Sequence, residues 1–129
     1  MNFMMLSAAL LLQPLPEPRS VHWESIADGD VTYDFIDPAT IVREGDIVSY
    51  TSRLTDPLGS MDGIIVMVIR HARNCRTGRE GFLGIDGYNE DWRLVASRRT
   101  QPRDVVYQED TPGPRAPLVH RRVCGALTG

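Results

Sequence analysis

Gly63-Ile-Ile-Val-Met-Val-Ile-Arg70-His-Ala-Arg73-Asn-Cys75 decides the fold. Residues 64–69 are apolar at every position, the pattern of a central strand covered on both faces rather than one half-exposed to water. From Arg70 onward the run turns polar, which predicts a strand that emerges into solvent. Asp62-Gly63 before it and Thr77-Gly78 after it are turn chemistry. On the N-terminal side, Ile47 to Leu54 alternates, with Val48, Tyr50 and Leu54 on one face, and Glu44-Gly45-Asp46 turns the chain ahead of it. Val31-Thr-Tyr-Asp-Phe35 alternates in the same way, and Ile41-Val42 reads as a further short strand. On the C-terminal side, Glu80–Tyr88 contains Gly81, Gly84 and Gly87, so a strand there is bent or bulged. Asp91–Thr100 and Asp104–Gln108 read as two more strands, separated by a kink at Pro102.

The pattern changes at Thr111-Pro112-Gly113-Pro114. Thr followed by Pro is an N-cap and first-turn pair, Leu118, Val119 and Val123 recur at helical spacing, and Gly125 stands where a terminating glycine belongs. Arg121 and Arg122 in the last turn suit the negative end of the dipole. A helix over about 112–124 follows. The reading is an α+β domain of short strands closed by one C-terminal helix.

At 129 residues the chain holds one domain, and 42% hydrophobic content is enough for a core. No apolar run reaches the roughly 18 residues that span a bilayer. A net charge of −3 argues against a nucleic-acid binder. The charge is uneven and all the bases are Arg: the first sixty residues hold three Arg against nine acids, the rest eleven against eight. The densest cluster is Arg70, Arg73, Arg76 and Arg79. Such a cluster suits an anionic partner, protein or envelope component, because Arg grips phosphate, sulfate and carboxylate bidentately. The competing reading is that the acidic first half pairs with the basic second half across the sheet.

Phe3 to Leu12 is a stretch of ten that is apolar except at Ser7, followed by prolines at 14, 16 and 18. That is the length of a secretory h-region, although no Arg or Lys precedes it. The expectation is a signal peptide or apolar leader with a Pro-rich linker over 1–19 and a domain over 20–129, placing the protein in the periplasm or outside the cell. The alternative is an apolar N-terminal strand or helix packed on a cytoplasmic domain. Cys75 and Cys124 are the only cysteines. In an exported chain they form one disulfide, and in the cytosol they are two buried thiols. Two sulfurs and three scattered histidines offer no metal-ligand spacing, so no metal and no cofactor is expected.

No recognisable catalytic motif is present. There is no Gly-x-Ser-x-Gly, and Gly78, Gly81 and Gly84 lack the context of a dinucleotide fingerprint. Glu90-Asp91-Trp92 places paired acids beside an aromatic ring. It supports an alternative function as a small secreted hydrolase or sugar-binding protein. Cys75 near His71 is a candidate nucleophile only if it is not bridged.

The order of landmarks carries a resemblance. Trp23 opens the domain. Then come Val31-Thr-Tyr33-Asp-Phe-Ile-Asp37-Pro-Ala-Thr40-Ile41 through Gly45, then Cys75-Arg-Thr-Gly-Arg79, then Thr111-Pro-Gly113 through Val123-Cys124. Over about 20–125 the chain resembles the surface-adhesin protein E family of small exported bacterial proteins. The resemblance implies a single antiparallel sheet of about six strands with the C-terminal helix packed on it. It further implies export to the periplasm or cell surface, frequent dimers, and no catalytic residues. The best-known member is an adhesin that binds host matrix and serum proteins. Unlike that member, this sequence has no cysteine near the leader that could carry a lipid anchor.

Overall fold

The computed structural model describes residues 14–19, 22–26, 34–56 and 58–125. They form one six-stranded antiparallel sheet in simple sequential order: β1 (Glu24–Ser25), β2 (Asp34–Glu44), β3 (Ile47–Thr55), β4 (Val66–Asn74), β5 (Glu80–Tyr88) and β6 (Leu94–Arg99). A short 3-10 turn over Pro102–Asp104 and a C-terminal helix, α1 (Arg115–Cys124), complete the described residues. The leader stretch before Pro14 and the strand residues 31–33 fall outside the described residues.

β4 takes the central place foreseen for it, paired with β3 along its whole length and with β5 around a bulge at Arg70/His71. Its polar half does not run out to water. Arg70, His71, Ala72 and Arg73 are all buried, because the helix side and the opposite side of the sheet are both covered at that level. Asp34-Phe35 and Ile41-Val42, expected in two short strands, belong to one, whose register with β3 shifts between Asp37 and Val42. Pro38 sits in that irregular stretch, where a missing N–H costs no ladder bond. The strand expected at Asp104–Gln108 is not formed. Pro102 starts the 3-10 turn instead, and only Gln108 pairs, bonding both ways with Glu80 at 2.9 Å.

Cross-strand partners share a face, so the register assigns the two sides. On the helix side, Ile36, Val48, Tyr50, Val119, Val123 and the two cysteines form the main core. On the other side, Ile47, Ala72 and Leu83 pack under Val105 and Tyr107. Gly81 permits this cover: a Cβ there would lie 2.4 Å from Val105 Cγ1 and 2.6 Å from the Val106 carbonyl oxygen. The Pro-rich stretch also lies on the domain, with Leu15 and Pro18 buried. Its Pro18 carbonyl accepts from Trp23 Nε1 at 2.9 Å and from Arg53 at 3.1 Å. The Arg53 guanidinium in turn lies over Phe35 at 4.8 Å and Trp23 at 5.5 Å.

The helix begins three residues later than expected. Thr111 is not its cap; Pro114 takes that place with no side-chain hydrogen bond, and the two prolines at 112 and 114 hold the preceding segment out of the helix. Gly125, at φ 67°, ends it as foreseen.

Candidate functional site

A line of polar side chains crosses the helix side of β3, β4 and β5. Val48 opposes Arg73 and Tyr50 opposes His71 across β3 and β4; His71 opposes Phe82 and Arg73 opposes Glu80 across β4 and β5. Tyr50 and His71 stack with centroids 4.4 Å apart and planes 11° from parallel. The Tyr50 hydroxyl donates to Glu80 Oε1. His71 Nε2 faces Ser52 Oγ at 2.6 Å, and its Nδ1 lies 3.2 Å from Glu80 Oε2, off the line of a good hydrogen bond.

Arg73 is the hub. It is 2% exposed. It grips Asp110 with two parallel bonds of 2.9 and 2.8 Å, meets Glu80 Oε1 at 3.3 Å, and donates from Nε to His120 Nδ1 at 2.9 Å. One guanidinium therefore ties β4 to β5, to the segment after Gln108, and to the helix. Planar, fork-shaped and always charged, Arg fills this role where Lys could not.

The electrostatics follow from burial. Burial alone would raise the Glu80 carboxyl, but its contacts with His71, the Tyr50 hydroxyl and Arg73 outweigh that and hold it at about 2. Burial, and then the neighbouring Glu80 charge, push the Tyr50 phenol well above its ordinary value. Burial and Arg73 lower His120, with Asp110 opposing in part. Glu80 therefore contributes stability that is complete above its ordinary value of 4.5 and is lost as pH falls toward 2. Its size is on the order of 3 kcal/mol. Glu80→Gln should flatten the acid side of the stability curve across that window, read as urea midpoints against pH.

Ser52, His71 and Glu80 stand in the order of a nucleophile, a base and an acid. Ser52 is only 1% exposed in the middle of β3, whose amides serve the ladders on both sides, so a substrate meets neither the hydroxyl nor free backbone donors. The arrangement is a buried polar cluster held by ion pairs and hydrogen bonds, with His71 Nδ1 left without a hydrogen-bond partner.

Beside this line the surface opens. A cleft of about 470 Å³ is bordered by Ile69, His71, Glu80 and Phe82 on the sheet and by residues 108–116 opposite. A second, of about 410 Å³, lies on the far side of Phe82 against Ile85, Arg98 and Val106. A third groove, of about 770 Å³, runs behind residues 110–113 along the helix, over Arg73, His120 and Arg121. Phe82, 51% exposed, stands between the first two. It is a large apolar side chain left open beside the ion-paired Glu80 and Arg73.

The four arginines of the sequence cluster are not brought together. Residues three apart on a strand point to opposite faces: Arg73 faces the helix, while Arg70 lies buried on the other side, donating to the Pro14 carbonyl at 3.3 Å. Arg76 and Arg79 are exposed on the β4–β5 turn and meet Asp46 at 3.2 Å and Glu109 at 3.7 Å. Cys75 and Cys124 are joined, with Cα atoms 5.6 Å apart, so Cys75 is no nucleophile. Glu90 and Asp91 are exposed in the β5–β6 turn. Trp92 sits there at φ 60° rather than in a strand, with the Arg19 guanidinium 5.0 Å from its ring centre. Among the described residues, no group of three or more His, Cys, Asp or Glu could hold a metal ion.

No protein-family profile and no curated protein matches the sequence. Solved structures do. Haemophilus influenzae protein E in crystal form II superposes with a TM-score of 0.57 at 14% identity, covering 89% of this chain and 98% of that one. Its selenomethionine form gives 0.56 at 13% identity, over 96% of both chains. Protein E from non-typeable Haemophilus influenzae gives 0.54 at 14% identity, over 88% and 84%. At such identities the likeness is one of fold, and the fold is protein E-like. Among the described residues, no helix is long and apolar enough to cross a membrane.

Proposed function

We propose that this chain is an exported, non-enzymatic envelope protein that binds a partner, adhesin-like, at the open clefts around Phe82. The pairing of Phe82 with Val106 carries the reading: both line the cleft on the far side of Phe82, at 51% and 69% exposure, so two open apolar side chains share one concave surface. The protein E-like fold supports a binding role over catalysis, and the half of the Ser52–His71–Glu80 line that would react is sealed. The joined cysteines favour an oxidising compartment, periplasm or cell surface. Nothing in the structure or the comparisons favours the Glu90-Asp91-Trp92 alternative. A homodimer is part of the proposal, to be read from solution mass.

Of the four sequence-cluster arginines, Arg76 and Arg79 are the exposed pair, which supports them as the ones that would meet an anionic partner. Replacing both with Ala should lower the salt concentration at which the folded protein leaves a heparin matrix, since removing a cation that pairs with sulfate weakens the salt dependence of binding. Phe82→Ser should leave that retention unchanged while abolishing binding to a protein partner. Heparin retention indifferent to Arg76 and Arg79 would remove the anionic partner from the proposal. Partner binding indifferent to Phe82 would remove the clefts.

A further inference from the structure

Residues 110–113 wall two openings at once, the cleft beside Phe82 and the groove along the helix. What holds that wall is the Asp110 carboxylate on Arg73, and Arg73 is itself positioned by donating Nε–H to His120 Nδ1. A ring nitrogen that accepts a hydrogen bond carries no proton, so His120 is neutral with its proton on Nε2. We propose that this is an acid-operated latch: a proton taken up at His120 Nδ1 breaks the bond from Arg73, releases residues 110–113, and widens the two openings they wall.

The chemistry is simple. The proton comes from solvent and occupies the lone pair that Arg73 was using, so two cations are left facing each other at hydrogen-bond distance. The groups around His120 define the balance. From β4 there is Arg73; from β5, through Arg73, Glu80; from the wall, Asp110; and from the helix itself, Arg121, which lines the same groove. Asp110 is the acid that can receive the new imidazolium, but it is already bound by both oxygens to Arg73. Satisfying His120 thus draws Asp110 away from Arg73, and the wall moves with it. Burial and Arg73 also hold His120 below its ordinary value of 6.5, so the latch is closed at neutral pH and opens on the acid side of that value.

The significance for partner binding rests on the proposed function, but the latch itself is tested without any ligand. Nuclear magnetic resonance of the full chain across the histidine range reads both the His120 ring nitrogens and the amides of Thr111 and Gly113. At neutral pH, Nδ1 should be unprotonated. As His120 titrates, the two amides should shift with the same midpoint and exchange ~10-fold faster relative to their intrinsic rates. In His120→Asn, whose side-chain oxygen can take the Arg73 bond and cannot titrate, the wall amides should show no midpoint. A proton on Nδ1 at neutral pH overturns the latch, as do wall amides that stay still while His120 titrates. A wall response that survives in His120→Asn also overturns it, because the response then does not come from His120. A working latch in a protein whose partner binding ignores Phe82 would fail the functional proposal and leave the latch standing.

Discussion

Arg73→Met should lower the unfolding free energy by about 3–5 kcal/mol, the range found when one partner of a buried ion pair is removed. The substitution nearly preserves volume, so the loss comes from what is left behind. Asp110 loses two hydrogen bonds, Glu80 loses its cation, and His120 loses its donor, all in a site where Arg73 was 2% exposed. Arg76→Met, only three residues along the chain, should change stability by no more than about 0.5 kcal/mol, because its side chain is 72% exposed and its pairing with Asp46 is screened. Urea unfolding of the two variants side by side is the measurement, with the midpoint moving and the slope unchanged. Equal effects would mean that Arg73 is a surface residue in solution. Adding Glu80→Gln and Asp110→Asn to Arg73→Met should recover part of the loss, since the penalty is mostly that of stranded charge.

Removing the disulfide should have an effect of similar size. Cys75 and Cys124 are 49 residues apart and join the end of β4 to the last residue of the helix. Constraining a loop of that length in the unfolded chain is worth roughly 4 kcal/mol on the chain-entropy account. The paired replacement Cys75→Ala and Cys124→Ala should therefore shift the urea midpoint down by about as much as Arg73→Met. The two should differ in one respect. The disulfide holds the helix's C-terminal end, whereas Arg73 holds its face at His120 and the segment at Asp110. Loss of the disulfide should leave the acid response of Thr111 and Gly113 in place, and loss of Arg73 should erase it.

Much of the fold was legible because it rests on local pattern. Alternation at Val48, Tyr50 and Leu54 marked β3, the doubly apolar run marked β4, and the glycines of β5 marked a strand that is bent or bulged. The helix was legible from Val119, Val123 and Gly125, but its start was not. Thr111-Pro112 satisfies the local rule for a cap, while Asp110 is held by Arg73, a partner 37 residues away, and Pro114 delays the helix. Asp104–Gln108 misled for a similar reason: its side chains suit a strand, yet Val105 and Tyr107 pack down onto the sheet instead of pairing beside it.

The site was mostly illegible for one physical reason. Polar residues on a strand read as exposed, and Arg70, His71 and Arg73 are polar, so local pattern alone carries them into solvent. Their burial depends on partners supplied from far along the chain: Pro14 for Arg70, Glu80, Asp110 and His120 for Arg73, Ser52 and Glu80 for His71. The charge asymmetry between the halves was the available signal, and it found part of its outlet in Arg76 with Asp46 and Arg122 with Glu24, which bridge acidic first half and basic second half. The spacing of three between Arg70 and Arg73 held the remaining clue, since it sends the two side chains to opposite faces.

On the reading proposed above, a protein E-like domain held by one covalent and one ionic tie is exported and offers Phe82 and its clefts to a partner. The most direct test of that reading is thiol trapping in the cells that make the protein: alkylate before lysis, then map the cysteines by mass spectrometry. The account predicts a single Cys75–Cys124 cross-linked peptide with neither sulfur alkylated. Both sulfurs recovered as alkylated thiols would contradict it.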